Sequence, residues 1–318
     1  NHMLFLWRLP MGAGIIGVGG ATPRHFKTNA DLEKILDTND EWIYSRTGIK
    51  SRYVADPDEQ TSDFAYAAAL KALQNANLCA QDIDMILVAT MTPDMATPSV
   101  ACLVQEKLGA FQAAAMDVNA ACTGFIYAVV TAAQFIQTKV YQNILVIGSE
   151  KMTGLLDWTD RTVDVLFGDG AGAVIVSEVG DKRGLLAFEL GADGRGKENL
   201  YANQRIYMNG NEVFKFAVRK MEECTEILLD RANLNQSDVD YLIPHQANIR
   251  IMEAARKRLN LPKEKMSCTV QKYGNTSSAS IPLSLWESVR ENKLKPNDIV
   301  LMVGFGAGLS WGGLVIKW

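Results

Sequence analysis

Histidine is scarce: three residues in a chain of 318. His2 stands in Asn1-His2-Met3, which reads as a cloning remnant, so only His25 and His245 are left for imidazole chemistry. The five cysteines, at 79, 102, 122, 224 and 268, contain no Cys-x-x-Cys pair. A zinc site or a disulfide framework is therefore not expected, and free thiols suit a reducing compartment, the cytoplasm. Basic residues do not dominate. Lys and Arg number 32 against 36 Asp and Glu, a net charge of −4, which argues against a surface built to coat nucleic acid. No Gly-x-x-x-x-Gly-Lys-Ser/Thr loop occurs. Gly12, Gly14 and Gly17 match Gly-x-Gly-x-x-Gly, but 15–18 reads as the strand itself and no helix is expected before about residue 29, so a dinucleotide is not expected there. The longest charge-free run, 118–138, holds Asn119, Gln134 and Gln137 and reads as a buried helix rather than a membrane span. Residues 1–10 read as a tag scar or upstream extension, with the native fold beginning near Met11.

What is present is a duplication. Residues 76–88 align with 232–244 at an offset of 156, with Ala, Asn, Leu and two Asp in common. Residues 143–147 resemble 298–302 at an offset of 155. Each half reads in the same order: helix (61–75; 212–231), apolar strand (85–89; 241–243), helix (99–108; 249–259), strand (114–118; 266–270), helix (122–137; 278–292), apolar strand (144–148; 299–303). Continuous apolar strands alternating with helices predict mostly parallel sheets covered on both faces. Two such units, 11–175 and 176–318, predict a five-layer α-β-α-β-α sandwich.

Three strand ends carry chemistry. Cys122 opens a helix after the strand 114–118, where unpaired N–H groups and the helix dipole favour a reactive thiolate. His245 follows the strand 239–243, at the carboxyl edge where α/β sheets place ligands. Asn275 follows the strand 266–270. Taken singly, each has a plainer reading: an inert buried thiol, a satisfied core imidazole, a turn cap. The duplication brings them together, because Cys122 shifted by 156 falls at 278, three residues from Asn275.

The surrounding residues resemble a known family. Asn119-Ala120-Ala121-Cys122-Thr123-Gly124-Phe125, Pro244-His245-Gln246-Ala247-Asn248 and Gly274-Asn275-Thr276-Ser277 are similar to the three catalytic motifs of the β-ketoacyl-[acyl carrier protein] synthase III family, condensing enzymes of the thiolase fold. The resemblance extends through Asp37-Thr38-Asn39-Asp40-Glu41-Trp42, Arg46-Thr47-Gly48-Ile49, Phe167-Gly168-Asp169-Gly170 and Gly304-Phe305-Gly306-Ala307-Gly308. It implies condensation of an acyl-coenzyme A primer with malonyl-acyl carrier protein, releasing CO₂ and coenzyme A, with no metal and no cofactor. Cys122 would carry the acyl group, and His245 and Asn275 would serve decarboxylation. The amides of Cys122 and Ala307 would form an oxyanion hole.

The same resemblance implies a coenzyme A site at Thr38, Trp42, Arg46, Arg161, Leu166, Phe214, Ala247 and Asn248, although a solvated surface is the plainer reading of the two arginines. Asp164, close to Arg161, departs from the family pattern and is expected to weaken a phosphate contact. An acidic carrier protein would meet Gln246, Ala247, Asn248 and Ile249 and the basic residues Lys215, Arg250, Lys257 and Arg258. Thr97 would reach the acyl pocket of the partner in a homodimer, its small side chain admitting longer or branched primers. Neither nucleic acid nor membrane is an expected partner. The alternative is a related thiolase-fold acyltransferase or a polyketide-type condensing enzyme of secondary metabolism. A papain-like protease also uses Cys, His and Asn but would need Cys-Gly-Ser-Cys-Trp surroundings, which are missing. A non-catalytic coenzyme A binding module would have no need of Cys122.

Overall fold

The computed structural model describes residues 12–180 and 183–318, so the reading of residues 1–10 falls outside the described residues. The first half runs β1 (Ala13–Ala21), β2 (His25–Thr28), α1 (Asn29–Leu32), α2 (Asp40–Thr47), β3 (Ser51–Val54), α3 (Thr61–Ala76), β4 (Met85–Ala89), α4 (Val100–Leu108), β5 (Ala114–Val118), α5 (Gly124–Gln137), β6 (Asn143–Lys151) and β7 (Asp169–Glu178). The second runs β8 (Gly184–Ala192), β9 (Leu200–Ala202), β10 (Ile206–Met208), α6 (Gly210–Ala232), β11 (Tyr241–Pro244), α7 (Ile249–Arg258), α8 (Val270–Tyr273), α9 (Ser280–Arg290), β12 (Ile299–Gly306) and β13 (Ser310–Lys317).

The main sheets are β1-β7-β6-β4-β5 and β8-β13-β12-β11. They match strand for strand, and an isolated parallel bridge from Leu242 to Met266 stands where β5 stands in the first sheet. Helices α3 and α4 cover the outer face of the first sheet, α6 and α7 that of the second, and α5 and α9 pack between the two. This is the thiolase-like five-layer sandwich. Burial follows the layers. Phe125, Ile126, Val129 and Ile136 of α5 meet Val146, Val174, Met302 and Leu314 from both sheets in the middle core. On α3 the buried alanines 65, 68, 69 and 72 form one helical stripe. That stripe seats against bare backbone: a Cβ at Gly19 would lie 2.2 Å from the Ala68 carbonyl oxygen.

The repeat persists at the level of single bonds. Asn77 and Asn233 both cap their helices in the left-handed conformation, at φ 56° and 55°. Asp84 accepts from the Asn143 amide at 2.9 Å, and Asp240 from the Ile299 amide at 3.0 Å. The second match therefore also has an offset of 156, not the 155 read from the sequence.

Three expectations are corrected. The sheets are mixed rather than mostly parallel. β4 runs parallel to β5 and β6, and β11 to β12, whereas β1-β7, β6-β7, β12-β13 and β13-β8 are antiparallel. Only residues 307–309 join β12 to β13, too few for a parallel crossover. The expected strand 266–270 shrinks to the Met266 bridge, and Val270 already begins α8. The boundary placed at 175/176 lies inside β7, and the chain passes from one sheet to the other after Glu178. Among the described residues no helix is long and apolar enough to cross a membrane.

The two halves touch most closely through glycine. A Cβ on Gly148 of β6 would lie 2.3 Å from the Ser278 carbonyl oxygen. Gly148→Ala is expected to cost about 1–3 kcal/mol by overpacking, measured by denaturant unfolding against the parent protein.

Candidate active site

Cys122 sits where β5 gives way to α5. The Asn119 side-chain oxygen accepts from the Ala121 amide at 3.3 Å, and Ala121 takes φ 47°, a left-handed conformation that an alanine adopts only at a cost. The chain then makes a single 3-10 turn, Ala121–Thr123, and enters α5. The turn presents the Cys122 thiol to the cavity while leaving the residue buried, at 8% exposure. Burial pushes the thiol up to about 12, the Ser277 hydroxyl pulls it down and Glu150 pushes it up. The expected thiolate is thus corrected: loss of water around the sulfur outweighs the hydrogen bonds that favour the anion, and the resting group is a thiol.

His245 leaves the end of β11 with its amide bonded to the Val303 carbonyl at 2.8 Å. The ring is buried, edge-on to Phe305 at 5.4 Å. Nδ1 lies 2.6 Å from Ser280 Oγ, which also accepts from the Gln246 amide. Among the described residues the hydroxyl hydrogen has no acceptor other than Nδ1, so Ser280 donates to Nδ1 and the imidazole hydrogen rests on Nε2. Burial lowers the His245 pKa to about 3, so the ring is neutral at ordinary pH and Nε2–H is a donor. Ser280 is absent from the sequence reading; nothing in the sequence marks it, because its partner lies 35 residues away.

Asn275 is fixed through its backbone, which bonds Leu166 and Gly168 in a parallel bridge centred on Phe167. Its side-chain oxygen accepts from the Ser277 amide at 2.9 Å. The carboxamide is thereby oriented, and Nδ2 remains as the donor.

Cys122, His245, Asn275 and Ala307 line one cavity of about 360 Å³. Gly306 abuts the thiol-bearing residue: a Cβ there would lie 2.8 Å from the Cys122 amide nitrogen. Among the described residues the amide of Ala307 has no acceptor, and the amide of Cys122 acts on its own sulfur. Trp42, Arg46, Leu166, Phe214, Ala247 and Asn248 line the same cavity. Two guanidiniums lie over Trp42, Arg46 at 4.6 Å and Arg161 at 5.3 Å from the ring centre. Arg161 donates to the Asp37 carbonyl at 2.6 Å.

Several expected residues are elsewhere. Thr38 does not line the cavity, and its buried hydroxyl is unpartnered. Gln246 is 1% exposed and bonds Pro244, Ser267, Thr269 and Val270, so it cannot touch a partner protein. Arg258 is paired with Glu222 and Glu226, and Lys215 with Glu212, which neutralises half of the expected basic patch. Arg250 lies over the Phe214 ring and Lys257 is exposed, and neither is ion-paired among the described residues. Ile249 packs against Gly48. Asp164 accepts from the Thr159 and Asp160 amides and so caps their loop. Thr97 is exposed and does not line the cavity. Among the described residues no cluster of His, Cys, Asp and Glu could hold a metal.

A thiol held protonated by burial predicts a distinctive titration. Alkylation of Cys122 by a small electrophile is expected to keep rising from about pH 7 to 10 without a plateau. A plateau near neutrality, followed by peptide mass analysis, would show a thiolate instead.

Two family models match the chain, "3-Oxoacyl-[acyl-carrier-protein (ACP)] synthase III" over residues 116–194 and its C-terminal counterpart over residues 229–318. The β-ketoacyl-[acyl-carrier-protein] synthase III of Geobacillus kaustophilus is 59% identical over 97% of this chain and 99% of its own length. The crystal structure of 3-oxoacyl-[acyl-carrier-protein] synthase III from Aquifex aeolicus superposes with a TM-score of 0.94 at 48% identity, over 96% of this chain and 100% of that one. The priming β-ketosynthase of the R1128 polyketide pathway superposes at 0.91 with 34% identity, over 96% of each chain. With these relatives spanning nearly its whole length, the chain belongs to the β-ketoacyl-[acyl-carrier-protein] synthase III family.

Proposed function

We propose that the chain joins an acyl-coenzyme A primer to malonyl-acyl carrier protein, giving 3-oxoacyl-carrier protein, CO₂ and coenzyme A, the first condensation of fatty acid synthesis. The observation that carries this is the convergence of one thiol, two neutral hydrogen-bond donors and the unpaired amide of Ala307 in a single cavity. Coenzyme A enters past Trp42, Arg46 and Arg161, with Leu166, Phe214, Ala247 and Asn248 along its arm.

Cys122 Sγ attacks the primer's thioester carbonyl. The tetrahedral oxyanion is held by the amides of Cys122 and Ala307. Coenzyme A then leaves with the proton that the thiol gives up, and the acyl group stays on Cys122. Malonyl-carrier protein follows, steered by Arg250 and Lys257, the cations left free in the patch. Decarboxylation puts negative charge on its thioester oxygen, where His245 Nε2–H and Asn275 Nδ2–H donate. Both donors are neutral and pre-oriented, so neither spends a proton. The carbanion attacks the acyl-Cys122 carbonyl, the amides hold the second oxyanion, and the thiolate leaves to be reprotonated.

Further parts of the reading concern assembly. The chain forms a homodimer through β5, the open edge of the first sheet, beside which Phe111 and Met116 are exposed. Thr97 of each copy reaches the partner's acyl pocket. The chain works with no metal or bound cofactor, in the cytoplasm, and its two halves divide in the connection after β7.

Cys122→Ala is expected to abolish acyl transfer, read as loss of the acyl adduct in intact-protein mass spectrometry after mixing with acetyl-coenzyme A. His245→Ala and Asn275→Ala should retain the adduct and each lose roughly 100-fold in malonyl decarboxylation, the loss of one oxyanion donor. Wild-type decarboxylation in both variants would overturn the assignment. A second reading, a polyketide-type priming enzyme, is favoured by the R1128 likeness and by the small side chain of Thr97. Turnover of acetyl-, isobutyryl- and decanoyl-coenzyme A with malonyl-carrier protein against malonyl-coenzyme A separates the two. Strict acetyl preference with the carrier protein alone would end the second reading and the proposed role of Thr97.

A further inference from the structure

The offset of 156 carries each residue of the site onto a counterpart in the other half. Cys122 maps to Ser278, His245 to Ala89, Asn119 to Asn275 and Gly306 to Glu150. The turns themselves agree, because Ala121 and Ser277 both take left-handed φ, at 47° and 51°. A second strand-end junction therefore lies against the first, and at its centre is a buried carboxyl group in place of a glycine.

Glu150 is fully buried, with no ion-pair partner among the described residues. Its Oε2 accepts from Thr90 Oγ1 at 3.2 Å, the Met91 amide at 3.1 Å and Thr92 Oγ1 at 2.5 Å. Its Oε1 lies 2.7 Å from Ser278 Oγ and 3.4 Å from the Ser278 amide. Ser278 Oγ is also 2.8 Å from the Ala89 carbonyl oxygen, which can only accept. The serine has one hydrogen. If the carboxyl were ionised, one hydroxyl would face two acceptors and satisfy one. With a proton on Oε1 every contact is made: Oε1–H donates to Ser278 Oγ, and Ser278 Oγ–H donates to Ala89. Burial raises the Glu150 pKa, in the same sense.

Between Glu150 and Cys122 stands the Ser277 hydroxyl, wholly buried and without a well-formed hydrogen bond. It is close enough to favour the charged form of either neighbour. The other titratable groups nearby do not compensate a charge on Glu150. Lys151 Nζ turns away to the carbonyls of Asp56 and Glu59, Asp169 is taken up by Thr153 and Ala55, and His245 is neutral.

We propose that Glu150 is a positioning residue held as a neutral carboxylic acid, its proton donated to Ser278. In that state it fixes the turn carrying Ser277 and leaves the region behind Cys122 free of negative charge, so that thiolate and oxyanion can form there. The proposal rests on Cys122 being the nucleophile. That premise has its own readout, the acyl adduct on the unaltered protein, which does not involve Glu150.

The test combines infrared spectroscopy with the pH dependence of Cys122 alkylation. The parent protein at pH 7 should show the C=O stretch of a protonated, hydrogen-bonded carboxyl that is missing from Glu150→Gln. The carboxamide can still donate to Ser278 and accept from Thr92, so the alkylation profile should stay unchanged in Glu150→Gln. Glu150→Ala, which lacks both contacts, should slow acylation, and Gln should recover at least about tenfold of that loss. A missing carboxyl band in the parent protein would overturn the proposal. So would a Glu150→Gln profile moved down by a pH unit or more, the sign that an anion had been removed. Where Glu150→Gln does not fold, titration of the band in the parent protein decides alone: persistence up to about pH 7 supports the acid, and loss below pH 7 overturns it.

Discussion

Everything at the site depends on how near two main chains can come. The turn carrying Cys122 presses on Gly306, and the turn carrying Ser278 presses on Gly148, with no side chain between. A Cβ at either glycine would fall well inside van der Waals distance of backbone. Those approaches lock the first sheet to the second half and the second sheet to the first half. They also place amides rather than side chains beside the thiol. A catalytic thioester can then be gripped by N–H groups that need no reorganisation. The sandwich of layers is the means by which four strand ends from two halves are held to that tolerance.

The electrostatics follow from the same closeness. Groups buried this deeply lose most of their hydration, which penalises a resident charge. Burial favours the neutral forms of Cys122, His245 and Glu150 alike. The charge the site can stabilise is therefore the transient one on a substrate oxygen. Ser280 contributes by fixing which imidazole nitrogen bears the hydrogen, and the Ser277 amide by turning the Asn275 carboxamide. Neither partner touches the cavity's reacting groups by charge.

Much of this was legible in the chain. Strand β4 and the ends of α3 and α7 stand within a residue of where apolar runs and caps put them, because periodicity is a local signal. Cys122, His245 and Asn275 were legible from a repeat offset and three short motifs. What was not legible is what depends on pairing across the fold. The direction of β7 and β13 is set by their connections, not by composition. The run 266–270 looks like a strand, yet a single bridge is all its neighbour offers. Arg258 counts as basic in the sequence, but the glutamates 222 and 226 that cancel it become its neighbours only through helix packing. Gln246 lies within the histidine motif and reads as a surface residue until its four backbone partners are seen.

The burial of Cys122 also bears on how long the protein lasts. Oxidation by peroxide proceeds through thiolate, and a sulfur kept protonated offers almost none. The residue on which turnover would depend is thus less open to oxidation than an exposed cysteine of ordinary pKa.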